Sequence, residues 1–369
     1  MNEHHSTHNM NKNNKLISAA LLGLGLMASC SSGLAPVAKD AVVPTVVTEQ
    51  TEFDTDDPAI WIHPTDPSQS LILGTDKEVG GGLYLYDLAG KIVKKVTGLE
   101  RPNNVDIAYG LDVNGKKVDI AIATERKANK IRVYSLPDLT AIDNGGIPIF
   151  EGEMGEGERD GMGVSIYTKK DSLGSSIYAI VGRKTGPSGS YLWQYKITAG
   201  ADGIAKGEVV RKFGTYSGKK EIEAIAVDNE LGYVYYSDET VGVRKYYADP
   251  EKKDDTELAF FAQQDVKSDH EGIAIYKTTD STGYILLSNQ QNNSFVVYPR
   301  EGNSGNANSY TKLADIPVSA IECDGAEATS LNLGGKFPKG MLVAMSNGKV
   351  FHYYDWNLIQ ERIDKGEGK

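Results

Sequence analysis

Gly82-Leu83-Tyr84-Leu85-Tyr86-Asp87-Leu88 is the first of six aromatic-rich strands that recur along the chain. It returns as IRVYSL at 131–136, YLWQYKI at 191–197, GVRKYYA at 242–248, SFVVYPR at 294–300 and KVFHYYD at 349–355. With Tyr86, Tyr134, Tyr195, Tyr246, Tyr298 and Tyr353 as markers, the steps are 48, 61, 51, 52 and 55 residues. Two β-rich runs precede each marker. The first opens with an acid, at Asp57, Asp106, Asp160, Glu223, Glu271 and Glu327, and the second is more uniformly apolar, as in SLILGTDK at 70–77 or YILLSNQ at 284–290. A unit of three or four strands repeated six times at 40–60 residues is the mark of an all-β, six-bladed β-propeller rather than a sandwich.

Composition agrees. The 369 residues include 40 Gly and 20 Tyr against 8 Phe and 3 Trp, as turn-rich blades with one Tyr strand each require. A net charge of −11, from 39 Lys+Arg and 50 Asp+Glu, excludes the basic footprint of a general nucleic-acid binder. Two cysteines, Cys30 and Cys323, make no disulfide framework. At the N-terminus, Lys12 and Lys15 precede LISAALLGLGLMAS at 16–29, shorter than the ~20 apolar residues a spanning helix needs. Residues 1–29 therefore read as a signal peptide. It ends in Leu26-Met27-Ala28-Ser29-Cys30, which resembles the bacterial lipobox, where cleavage precedes an acylated Cys. Residues 30–50 read as a tether and 51–369 as a single propeller domain. The expected protein is a monomer, exported and either held at the cell envelope as a lipoprotein, on the outer-membrane or periplasmic side, or secreted.

In each blade the first two strands form an antiparallel hairpin, so the start of one and the end of the other share an edge. The second strands end in Lys77, Arg126 and Lys184 in blades one to three, in Glu239 and Gln290 in blades four and five, and in Ser346-Asn347 in the sixth. If these ends line the central channel, the six leading acids gather on one face. One half of the mouth is then cationic, and the other carries Glu223, Glu239, Asp269 and Glu271. So many carboxylates cannot converge without protons or a metal. A hard cation with oxygen ligands, chiefly Ca²⁺, resolves the conflict. Cations opposite a bound metal suit a polyanion, above all phosphate, which Arg meets bidentately.

Calcium on a phosphoryl oxygen neutralises charge and acidifies a water for attack on phosphorus, so the chemistry read here is metal-assisted phosphomonoester hydrolysis. Other routes lack their motifs: neither Cys is followed six residues later by Arg, and there is no GxxxxGK[ST] loop. His63, His270 and His352 are too scattered for zinc, and the acidic stretch GEMGEGERDGMG at 152–163 reads as a mobile loop. Two other functions stay open on the residues alone. One is a non-catalytic envelope propeller that binds a ligand or glycan; the other is a metal-dependent, lactonase-like hydrolase, in which the three cations have no obvious use.

Asp54-Thr55-Asp56-Asp57-Pro58-Ala59-Ile60-Trp61 and Asn103-Asn104-Val105-Asp106-Ile107 closely resemble the two signature segments of the β-propeller phytases, the calcium-dependent alkaline phytases. The likeness runs through most of residues 50–365. It implies a phosphoric monoester hydrolase of the 3-phytase type that removes phosphate from myo-inositol hexakisphosphate, preferentially as its calcium salt, with several catalytic and structural Ca²⁺ ions. Lys77, Arg126 and Lys184 match the family's phosphate-binding cations. Glu223 and Glu239 match carboxylates that bind the catalytic calciums and orient the attacking water. Asp269, Glu271 and Gln290 match further ligands. Asp57 and Asp324, with Asp56 and backbone oxygens near Pro58 and Val105, resemble positions that hold structural calcium. Three positions depart from the family: Met162 replaces a phosphate-contacting Tyr, so that one phosphate contact is either missing or supplied by Arg183; Ala108 replaces an Arg; and Ser346-Asn347-Gly348 runs straight into a strand where the family has a longer loop.

Overall fold

The computed structural model describes residues 33–172 and 174–369; the signal segment 1–29 and Cys30 lie outside them. Six antiparallel sheets succeed one another along the chain. Their first strands are Thr55–Trp61, Pro102–Val113, Gly161–Asp171, Ile225–Asp228, His270–Lys277 and Ala326–Thr329. Each packs against the first strands of the sheets on either side, and the last against the first, so the ring closes as a six-bladed β-propeller.

The second strands are covered on both faces by neighbouring blades, which is why they read as apolar runs rather than alternating ones. Ile72, Leu73, Leu286, Leu287, Leu342 and Val343 are wholly buried. The third strands carry the marker tyrosines, and all six are buried. Each faces a residue of the second strand: Tyr86 is opposite Ile72, Tyr134 opposite Ala121, Tyr195 opposite Ala179, and Tyr353 opposite Val343. Their rings also bind blade to blade. Tyr86 meets Phe351 with centroids 6.0 Å apart, Tyr246 meets Phe213 at 5.5 Å and Tyr298 meets Phe261 at 5.1 Å, all edge to face. Such pairs contribute about 1 kcal/mol each beyond area burial. Between blades five and four, Arg300 grips Asp228 through Nε and Nη2 at 2.6 and 2.7 Å, with both side chains fully buried.

The sixth sheet has only three strands of its own, and Val46–Val47 completes it. Val46 pairs with Tyr353 and Val47 with His352, Val42 bridges to Val318, and Thr48 Oγ1 accepts from Phe351 N at 2.9 Å. The boundaries expected at 30–50 and 51 are therefore corrected: residues from about Val42 onward belong to the propeller. Small and Pro-containing composition suggested a tether, yet Val42, Val46 and Thr48 are buried while Val43 and Val47 are exposed, the period-two pattern of an outer strand. At the other terminus, Asp355 caps the helix Trp356–Asp364, and Trp356 stacks on Tyr276 of blade five. Among the described residues no helix is long and apolar enough to cross a membrane.

Two outcomes follow for stability. Val46→Asp buries an unpaired carboxylate on the closing strand and should cost roughly 3 kcal/mol or more in chemical unfolding, whereas Val47→Asp, one residue along and half exposed, should stay within about 1 kcal/mol. Burial also pushes the His352 imidazole down to about 4. It is neutral in the fold but protonates in the unfolded chain below an ordinary value near ~6.5, so stability is lost as pH falls from there toward 4. The loss between pH 7 and 5 should be about 2 kcal/mol, and His352→Gln should remove that part of the pH dependence.

Candidate active site

At the mouth, the pairing between first and second strands slips by one residue in four blades. Thr55 pairs with Asp76 but Pro58 with Gly74, and the same slip separates Pro102 from Val105, Gly161 from Val164 and His270 from Ile273. A bulge re-aims the residues within it. Asn103, Met162 and Glu271, first of each bulged pair, line the mouth, and Asp56 holds Lys77 there. Asp57, Asn104 and Gly272, second of each pair, line the channel instead.

The mouth holds a cavity of about 260 Å³ lined by Lys77, Arg126 and Lys184 together with Glu223, Glu239, Glu271, Asp324 and Gln290. Lys77 Nζ lies 2.9 Å from Asp56 Oδ1 and 2.5 Å from Asp324 Oδ2. Asn103 Nδ2 donates to Asp56 Oδ2 at 3.0 Å and to Glu223 Oε1 at 2.6 Å. Gln290 donates to Asp324 Oδ1 at 2.5 Å, and Gln291 donates to Asp269 Oδ2 at 2.8 Å. Lys184 pairs with Glu221 at 2.6 Å, while Arg126 lies 3.5 Å from Asp160 with its buried Nε making no hydrogen bond.

Burial, reinforced by Asp324, pushes the Glu223 carboxyl up to about 7. Burial and then Glu221 push Glu239 up to about 8, and burial with Glu239 raises Glu271 well above the carboxylate range. These groups need a proton or a cation to sit together. A cation fits: Glu239 Oε1 and Glu271 Oε2 are buried without hydrogen-bond partners, and Glu221, Glu223 and Glu239 bring one oxygen each within 4.8 Å of one another. An oxygen-only donor set of this kind suits a hard divalent ion.

Several expectations change. The six leading acids do not share one face: Glu223 and Glu271 reach the mouth, Asp57, Asp106 and Glu327 line a channel cavity of about 160 Å³ with Lys277, and Asp160 stands at the rim beside Arg126 and Lys127. Pro58 and Val105 line that channel with Asp57, whose Oδ2 accepts from Val105 N at 3.0 Å, so this trio is separate from the mouth. Nor are cations and acids in opposite halves, since Lys77 is enclosed by Asp54, Asp56 and Asp324. Arg183 is no substrate contact. Strand alternation turns it away from the mouth, where Lys184 lies, and its wholly buried guanidinium is spent on Tyr191 O, Ser190 O, Glu158 O and Glu153. That Glu153 contact also ties down the stretch expected as a mobile loop. Missed entirely were Lys220, Glu221 and Arg101, which line the same cavity. Lys220 and Glu221 stand just before Glu223, and proximity to that acid was the only signal for them.

A family model described as Phytase matches residues 12–358. Over 342 residues the chain is 31% identical to a 3-phytase of Bacillus subtilis (strain 168), covering 86% of this chain and 85% of that one. Among solved structures, a chain from a crystal structure of a mitotic checkpoint complex aligns with a TM-score of 0.45 and 10% identity, over 93% of this chain and 99% of that one. The contrast between adjacent residues is testable by thermal and urea unfolding. Arg183→Ala should lose about 3–5 kcal/mol, because Glu153 is left without its buried partner, whereas Lys184→Ala, at a partly exposed pair, should change stability by less than about 1 kcal/mol.

Proposed function

The chain belongs to the phytase family, and on that premise we propose that phosphate is cut from phytate in the mouth cavity, with calcium held by Glu223, Glu239, Asp269 and Glu271. The protein is a phosphoric monoester hydrolase of the 3-phytase type, which retires the ligand-display and lactonase readings. One observation carries the proposal: buried, unpartnered carboxylate oxygens of Glu239 and Glu271 line the same cavity as Lys77, Arg126 and Lys184. Gln290 and Asp324 complete the ligand set at the mouth, and Asp57 with the Pro58 and Val105 backbone would hold a structural calcium at the channel. Export through residues 1–29, with lipid on Cys30, belongs to the same reading.

Lys77, Arg126 and Lys184 bind phosphoryl oxygens, Arg126 offering a buried Nε–H that lies 3.5 Å from Asp160 but makes no hydrogen bond. Binding replaces their present acidic partners, Asp324, Asp160 and Glu221. Asn103 fixes Glu223 through Oε1, leaving Oε2 to orient a water and take its proton. When bound, calcium supplies charge neutralisation at the phosphoryl group and makes water more acidic.

Phosphate release from myo-inositol hexakisphosphate by the full chain should vanish on chelation and return with added Ca²⁺, and chelation should also lower the melting temperature. Lys77→Ala combined with Arg126→Ala should reduce kcat/KM at least about 100-fold with the fold retained. Release that persists without calcium would sink the metal assignment, and unchanged turnover in the double variant would remove both cations from the site.

A further inference from the structure

Lys220 is held in the mouth by two acids from different blades. Its Nζ lies 2.9 Å from Glu239 Oε2, at the end of a blade-four strand, and 3.0 Å from Asp269 Oδ2, at the entrance to blade five. One ammonium thus bridges two carboxylates in the manner of a metal ion. It does so incompletely, because Glu239 is 1% exposed and its other oxygen, Oε1, is buried with no partner. The lysine itself is 39% exposed along its side chain, so its flexible stem is free to leave. Lys219, its neighbour, is exposed and carries a like charge.

We infer that Lys220 is a tethered counter-ion: it neutralises the Glu239–Asp269 pair when calcium is absent, competes with calcium for those oxygens, and swings out when the metal binds. This rests on the proposed calcium role of Glu239 and Asp269. A single charge on a tether is a weaker partner for two carboxylates than a divalent ion, but its local concentration is high and it raises the calcium level needed to fill the position. Displacement leaves the ammonium in the cavity that Lys184 lines, where it adds to the charge available to a phosphate.

The test is calcium titration of the chelator-treated full chain by calorimetry, alongside melting curves. Lys220→Met should bind calcium at least tenfold more tightly at one site, melt lower than wild type without calcium, and gain more on calcium addition. Lys219→Met, which removes the same charge one residue away, should shift affinity less than twofold. In the unmutated protein, amine-reactive labelling of Lys220 read by mass spectrometry should rise several-fold with calcium, a readout that does not depend on any variant folding. If wild type binds calcium but Lys220→Met matches its affinity, or labelling is indifferent to calcium, the inference is overturned and the calcium reading stands. If neither protein binds calcium, both are overturned.

Discussion

Six first strands must crowd around one axis, and most of the molecule follows from how they manage it. A Cβ at position 163 would stand 1.7 Å from the carbonyl oxygen of Glu223 in the next blade; one at 272 would stand 2.7 Å from Ala326 N, and one at 325 would stand 2.4 Å from Asp57 Oδ1. Glycine is therefore required where the strands converge. The bulges that ease the same crowding send consecutive residues to different places. Asp56 and Asp57, neighbours in sequence, end at the mouth and in the channel respectively. Packing geometry, more than charge, decides which acids can meet a ligand.

What gathers at the mouth is a set of opposite charges that do not fully satisfy one another. Lys77 is enclosed by acids yet Glu271 keeps a buried oxygen bare, and Lys184 is closely paired yet Arg126 Nε stands 3.5 Å from Asp160 without a hydrogen bond. Rigid attachment to separate blades prevents the leftovers from pairing. On the proposed function, metal and phosphate resolve the mismatch jointly. Phosphate frees acids by taking cations such as Lys77, metal frees cations by taking acids such as Asp324, and each makes room for the other.

The architecture was legible because the repeat is carried by residue types with one structural use. A marker tyrosine on every third strand, behind an apolar second strand, survives differences in loop length. Lys77, Arg126, Glu239 and Gln290 were found by counting to strand ends, since hairpin geometry ties a strand end to an edge. Arg183 was misplaced because choosing between it and Lys184 needs the register, and one residue reverses the face. Asp57 and Asp106 were misplaced because the slips at Thr55/Pro58 and Pro102/Val105 leave no mark in a pattern of acids. Lys220 lies on a connecting segment outside the repeat, and only folding reveals that Glu239 and Asp269 converge on it. The valines at 42 and 46 were hidden by short length and by proline.

The strand at Val46–Val47 also sets an order of events. It is among the first parts of the propeller to be synthesised, yet its partner, Val350–Asp355, is among the last, with about 300 residues between them. Until translation is nearly finished the sixth blade lacks its edge and the ring stands open, with the earliest segment unpaired. Contacts so distant along the chain slow the final step of folding and leave strand edges uncovered meanwhile. The lock cannot engage while its last strand is still unmade, so an unfinished chain is held back from closing the ring around an incomplete set of blades.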